Sequence, residues 1–201
     1  MVYPVNDVDA GLLLRAAYWT LRRWAGEGTE PPPSAVPRFS DKTAERRSAV
    51  LAQLRPATGG EAIALEDGRP PAMVAAVDAH RNEIAGLRLP EVAGPLATLT
   101  GWNPRPAREQ GLTTLAPLVG ARFPLGAADH DRGPDGAAVR MTAQRYREIA
   151  EDLAARGVLL AEDVDECVRR ALSYSARAAA GEPGGSQATA AAPASPGRES
   201  R

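Results

Sequence analysis

Asn82-Glu-Ile-Ala-Gly-Leu-Arg-Leu-Pro-Glu-Val-Ala-Gly-Pro-Leu-Ala-Thr-Leu-Thr-Gly-Trp-Asn103 lies near the middle of a 201-residue chain, and its reading decides how the rest is placed. Its apolar pieces, Ile84 to Leu87 and Val92 to Leu99, are short and set among Gly and Pro, which limit a regular element to a few residues. Met73 to Val77 is a similar piece upstream, and the polar stretch Asp78-Ala-His-Arg-Asn82 suits a hairpin connection between it and Ile84. The expectation is two short strands forming a hairpin, then a third extended segment from Val92 to Leu99, the whole hairpin region spanning 73–99.

Working toward the N-terminus, Asn6 or Asp7 can cap a helix through Leu12, Leu13, Leu14, Ala17, Tyr18, Leu21 and Trp24, ended by Gly26 and Pro31-Pro32-Pro33. This predicts a helix over 7–26. Leu13, Ala17 and Trp24 form one stripe, Leu14, Tyr18 and Leu21 an adjoining one, and Leu12 and Trp19 lie on a third side. So wide an apolar girdle exceeds what an ordinary surface helix buries, and a sheet is the natural partner. Asp41 is expected to cap a second, shorter helix through Ala44, Val50, Leu51 and Leu54, stopped by Pro56 and Gly59-Gly60.

Toward the C-terminus, Pro104 to Gly136 is dense in Pro and Gly and reads as an irregular excursion over a surface. Thr142 then caps a helix with Tyr146, Ile149, Ala150 and Leu153 inward, terminated by Gly157, and Leu160, Val164, Cys167, Val168 and Leu172 continue in a final helix. The pair reads as an αα-hairpin over 142–178. Residues 181–201 contain no large apolar side chain and are expected to be disordered. The fold class expected from the residues is mixed, mainly α, with a short β-hairpin and long irregular segments.

Bulk properties exclude several functions. Gly (19) and Pro (18) are frequent and aromatics make only 4 %, so much of a single domain is loop and turn. A formal charge of −1 supplies no drive toward nucleic acid or an anionic membrane. The one cysteine, Cys167, excludes an intrachain disulfide and reads as core. No apolar run reaches a membrane span, and Asp7 and Asp9 stand where a signal peptide needs basic and apolar residues, so a cytoplasmic product is expected if Met1 is the natural start.

Catalytic chemistry is hard to find. Nucleophilic hydrolysis through a GxSxG elbow needs Gly on both sides of the Ser; Ser186 has Gly184 before it but Ala188 after it. His80 falls at the expected hairpin turn, where exposure is the default, and His130 lies in Asp129-His-Asp-Arg-Gly-Pro-Asp-Gly136, a loop with Pro134 where a calcium loop requires Gly. Two distant histidines without cysteine partners make no zinc site, and no cofactor is expected. The acids opening the last helix would repel phosphates, against a DNA-reading helix pair. Gly101, Trp102 and Asn103 remain as a candidate binding turn: Gly101 permits close approach, Trp102 offers an apolar face and Asn103 a donor and an acceptor. The competing reading is a turn anchored by a buried Trp102.

Tyr3-Pro-Val-Asn6, the Leu12 to Trp24 helix, Pro31-Pro-Pro-Ser-Ala-Val-Pro-Arg38, the Asn82 to Asn103 segment and Val158-Leu-Leu-Ala-Glu-Asp-Val164 together resemble the C-terminal part of bacterial α/β-hydrolase domain-containing proteins, esterase-like serine hydrolases. The chain departs from that pattern at His80-Arg81, where relatives tend to carry an acidic and glycine turn, and at Pro104. The resemblance implies the C-terminal portion of an α/β-hydrolase fold rather than a complete one, with residues 7–26 as the last packing helix. It places nucleophile, acid and His upstream of Met1, so no catalytic residue is carried onto this sequence. Two roles follow as expectations: an inactive part of an ester hydrolase, or an interaction module. The second would meet a separately encoded catalytic half or another copy through its apolar first helix or C-terminal helix pair.

Overall fold

The computed structural model describes residues 3–59, 72–94, 96–103, 119–125 and 142–179. The expected tail at 181–201, the loop holding His130, Ser186, and nearly all of the Pro104 to Gly136 excursion lie outside these residues. Among the described residues are five α-helices and two small antiparallel sheets. In chain order they are α1 (Gly11–Glu27), β1 (Ala44–Arg46), α2 (Arg47–Leu54), β2 (Met73–Ala75), α3 (Pro90–Ala93), β3 (Ala97–Thr100), β4 (Ala121–Pro124), α4 (Ala143–Ala155) and α5 (Val164–Ala179), the last entered through a 3₁₀ turn at Ala161–Asp163.

α4 and α5 pack together and form one wall of the core. The Thr142 hydroxyl accepts from the Arg145 N–H at 3.2 Å, starting α4 as its sequence predicts. Gly157 ends it at φ +73°: its N–H reaches the Ala154 carbonyl at 2.9 Å while the Val158 N–H reaches Leu153 at 3.1 Å, a Schellman pair that needs a left-handed residue. Tyr146, Ala150 and Leu153 are buried, with Ile149 at the margin. On α5 the inward stripe is Val164, Cys167, Val168, Ala171 and Tyr174; Leu172 is exposed because it lies about 100° round the helix from Ala171.

α1 joins this core by its narrowest stripe. Leu12 and Ala16, one helical turn apart, are its buried residues, and Arg15 beside them pairs with Asp163 at 2.6 Å and with Glu162. The helix begins at Gly11, later than the expected 7–26, because Asn6 and Asp9 are spent on consecutive side-chain turns: they accept from the Val8 N–H at 3.2 Å and the Gly11 N–H at 2.8 Å. Asp41 behaves similarly. It takes the Thr43 N–H at 3.1 Å and the Thr43 hydroxyl at 2.6 Å, so the chain enters β1 and the helix starts only at Arg47.

The strands pair non-locally. β2 lies antiparallel to β1, with Glu45 opposite Val74, rather than to Ile84–Leu87. The expected hairpin reduces to one bridge, Val77 to Glu83, flanked by Asp78 N–H to Asn82 O and Ile84 N–H to Ala76 O, each 2.9 Å. Val92–Leu99 is not continuously extended: Pro90 opens α3, a position where its missing N–H costs nothing, and β3 begins at Ala97. β3 pairs with β4, Thr98 opposite Phe123, and the N-terminal segment lies along the outer edge of β4 through a Val5 to Ala121 bridge.

Candidate functional site

The two asparagines that bound the central segment are both wholly buried, at 0 % exposure, and both use their side-chain amides as backbone substitutes. Alternate backbone groups of a strand point to opposite edges. On the edge of β3 away from β4, Asn82 Oδ1 accepts from the Leu99 N–H at 2.6 Å and Nδ2 donates to the Ala97 carbonyl at 2.9 Å. One side chain thus closes an edge that a further strand would otherwise occupy. Asp78 positions Asn82 by accepting its N–H at 3.0 Å and that of His80 at 2.9 Å, and Arg88 pairs with the same carboxylate. The Thr98 hydroxyl donates to the His80 carbonyl at 2.7 Å. His80 is buried, against the expectation of an exposed turn, because that turn folds onto β3 instead of projecting from a hairpin tip.

Asn103 does the same on the other side. Its Nδ2 donates to the Tyr3 carbonyl at 3.1 Å and the Gly120 carbonyl at 3.0 Å, and its Oδ1 accepts from the Tyr3 N–H at 3.4 Å. These partners occupy the donor and acceptor that would have served a ligand at the Gly101-Trp102-Asn103 turn. Gly101 is exposed and Trp102 half-buried, its N–H held by the Thr100 hydroxyl at 2.9 Å. The anchor of the turn is Asn103 and not Trp102. Gly120 opposite is compulsory: a Cβ there would sit 1.9 Å from the Thr100 carbonyl oxygen.

A polar cleft of about 640 Å³ opens between the N-terminal segment, α3 and α5, lined by Asp7, Glu91, Arg170, Tyr174 and Arg177 among others. Glu91 is 5 % exposed and its buried Oε2 has no hydrogen-bond partner among the described residues. Burial pushes its carboxyl above the usual range, while its own backbone N–H and then Arg170 pull it down and Asp9 pushes it up. The Tyr174 hydroxyl faces Asp7 without a hydrogen bond of ordinary geometry, and burial, more than any neighbour, raises its pKa. Cys167 is buried below, its thiol pushed up to about 12, first by desolvation and then by Glu91.

A second feature is apolar. Leu14 is 69 % exposed and Tyr18, Trp19, Leu21 and Trp24 are exposed with it, while Leu13, Ala17, Leu21, Trp24 and the Pro31–Pro33 run line a groove of about 390 Å³. The stripes expected to be buried on α1 are thus largely its outer surface. Among the described residues no group of His, Cys, Asp or Glu is arranged to hold a metal ion, and no helix is long and apolar enough to cross a membrane. Sequence reasoning gave Asn82 and Glu91 no role. The available signal was a polar residue in an otherwise apolar, Gly- and Pro-punctuated run, which must find a buried partner.

Residues 1–169 match the family model described as alpha/beta hydrolase domain. No curated protein and no solved structure matches the chain. With most of its length covered by that one model, the chain belongs to the alpha/beta hydrolase domain family.

Proposed function

We propose that this chain is the C-terminal, non-catalytic part of an ester hydrolase of that family, silent on its own, whose nucleophile, acid and His come from polypeptide outside this sequence. The observation that carries the reading is chemical: none of the serines in the sequence has Gly two residues before and two after it, so no elbow exposes a nucleophile. The buried amides of Asn82 and Asn103 favour a bracing role, since they organise backbone and leave no free catalytic group. The test is exposure of the purified chain to a fluorophosphonate probe and a small aryl ester. Neither labelling nor turnover is expected; stoichiometric labelling of any serine overturns the proposal.

A second reading is favoured by the exposed face of α1. An apolar surface of this kind marks an interaction site, and its occupant would be the catalytic half or another copy of the chain. The Leu14→Ser, Tyr18→Ser and Trp24→Ser changes should leave the isolated fold within about 0.5 kcal/mol each, as surface substitutions do, and abolish self-association or co-purification with the partner. A wild-type chain that is monomeric and does not bind apolar dyes at any concentration tested removes this reading.

A further inference from the structure

We propose that α1 pairs antiparallel with α1 of a second copy of this chain, about a two-fold axis that crosses the helix between Tyr18 and Leu21. This pairing rests on the reading of α1 as an interaction face and gives that face one occupant. Leu14, Tyr18, Leu21 and Ala25 follow one another at intervals of four, three and four residues, the spacing that sets the knobs of one helix into the holes of another. At 3.6 residues per turn this seam lies about 180° round α1 from Leu12 and Ala16, so it points away from the chain's own core. Leu14 is 69 % exposed, Tyr18 59 % and Leu21 56 %, and every residue from Leu21 to Glu30 is exposed.

A second copy is selected because this surface complements itself on reversal. The seam is large at one end, Leu14, and small at the other, Ala25, while the row beside it is small at Ala17 and large at Trp24. An antiparallel pair sets Leu14 on the partner's Ala25, Tyr18 on the partner's Leu21 and Trp24 on the partner's Ala17, each contact made twice as an isologous interface requires. Ala17 lines the groove of about 390 Å³ walled by Pro31–Pro33, Leu87 and Val158, an apolar recess for the partner's Trp24. A parallel pair would set Ala25 on Ala25 and leave a void. On the other flank, reversal brings the partner's Arg22 toward Arg15, whose charge is already matched by Asp163 and by Glu162, itself open to solvent. At about 150–200 Å² for each large side chain, Leu14, Tyr18, Leu21 and Trp24 leave about 400 Å² open per copy. Ala17, Ala25, Pro33 and Leu87, also exposed, carry a pair to roughly 1,000 Å², the lower limit of a specific interface. An interface of that size forms a dimer that dissociates on dilution.

The experiment is sedimentation equilibrium of the full chain over a hundredfold range of concentration, where a monomer–dimer equilibrium is expected. Leu14→Ser and Ala25→Glu, both at exposed positions, should weaken the dimer at least tenfold, while Leu172→Ser, exposed on α5, leaves it unchanged. A dimer indifferent to Ala25→Glu has its interface elsewhere and overturns the proposal. Orientation is read by mixing the Leu14→Cys and Ala25→Cys variants and oxidising them with diamide, Cys167 being buried. A disulfide between the two variants in excess of both self-linked products supports the antiparallel pair, and any other ratio overturns it. Failure of the pairing is separable from failure of the reading it rests on. A monomer that still binds an apolar dye overturns the pairing and leaves α1 an interaction face for another polypeptide; a monomer that binds none overturns both.

Discussion

Replacing Asn82 by Ala tests whether one amide closes the edge of the small sheet. The side chain is fully buried, so its removal leaves the Leu99 N–H and the Ala97 carbonyl without partners in a place water does not reach. Each buried group so orphaned costs about 1–3 kcal/mol, giving about 4 kcal/mol for the pair, before the longer 3.4 Å contact to the Val92 carbonyl is counted. Against a total stability of roughly 5–15 kcal/mol for a domain, that is about a quarter or more of the whole. The measurement is urea unfolding followed by circular dichroism, with amide exchange at Leu99 as the local readout. Asn82→Asp is the informative companion: a carboxylate can still accept from Leu99 but cannot donate to Ala97, and it brings an unpaired buried charge, so it should be no more stable than the Ala variant. A loss below about 1 kcal/mol with the Leu99 amide still protected would refute the reasoning.

Three further outcomes follow from the geometry. Gly120→Ala forces a Cβ against the Thr100 carbonyl and should destabilise by about 3 kcal/mol or more, seen as a lowered Tm; a Tm equal to wild type means β4 can shift freely. Cys167, buried and with its thiol near 12 against 9.0 unperturbed, should react with a disulfide reagent at pH 8 about a thousandfold more slowly in the native chain than in denaturant, and equal rates would contradict its placement. Glu83 and Glu91 both have carboxyl pKa values raised by burial, so the folded chain holds protons that the unfolded chain has released. Their contribution to stability is therefore present below the unfolded value of 4.5 and lost as pH rises through the folded values, and Glu91→Gln should flatten that fall; a slope unchanged by the substitution would show that Glu91 does not cause it.

Periodicity carried the helices because their signals are local. The Thr142 cap, the Gly157 stop and the inward set Tyr146, Ala150 and Leu153 are fixed by residues within a turn or two of one another. The strands were not legible in the same way. Met73–Ala75 has an eligible partner ten residues on, yet it pairs with Ala44–Arg46 across a long separation, and nothing in a three-residue strand encodes which edge it meets. Asp41 and Asn6 show a related ambiguity: the same short polar side chain caps a helix or closes a turn, and the downstream contact selects.

The sequence by itself determined the helix pair, the buried cysteine, the absence of an elbow serine and the family to which the whole belongs. Each of these rests on residue identity or on neighbours close in the chain. Tertiary structure alone decided that Asn82 and Asn103 are braces for β3 and β4, that α1 buries Leu12 and Ala16 while showing solvent its larger side chains, and that Glu91 is buried beside a polar cleft with one carboxyl oxygen lacking a partner among the described residues. The physical reason is common to all three. Whether a polar or apolar group is satisfied depends on what arrives beside it from distant segments, and that is a property of packing that spacing along the chain does not contain.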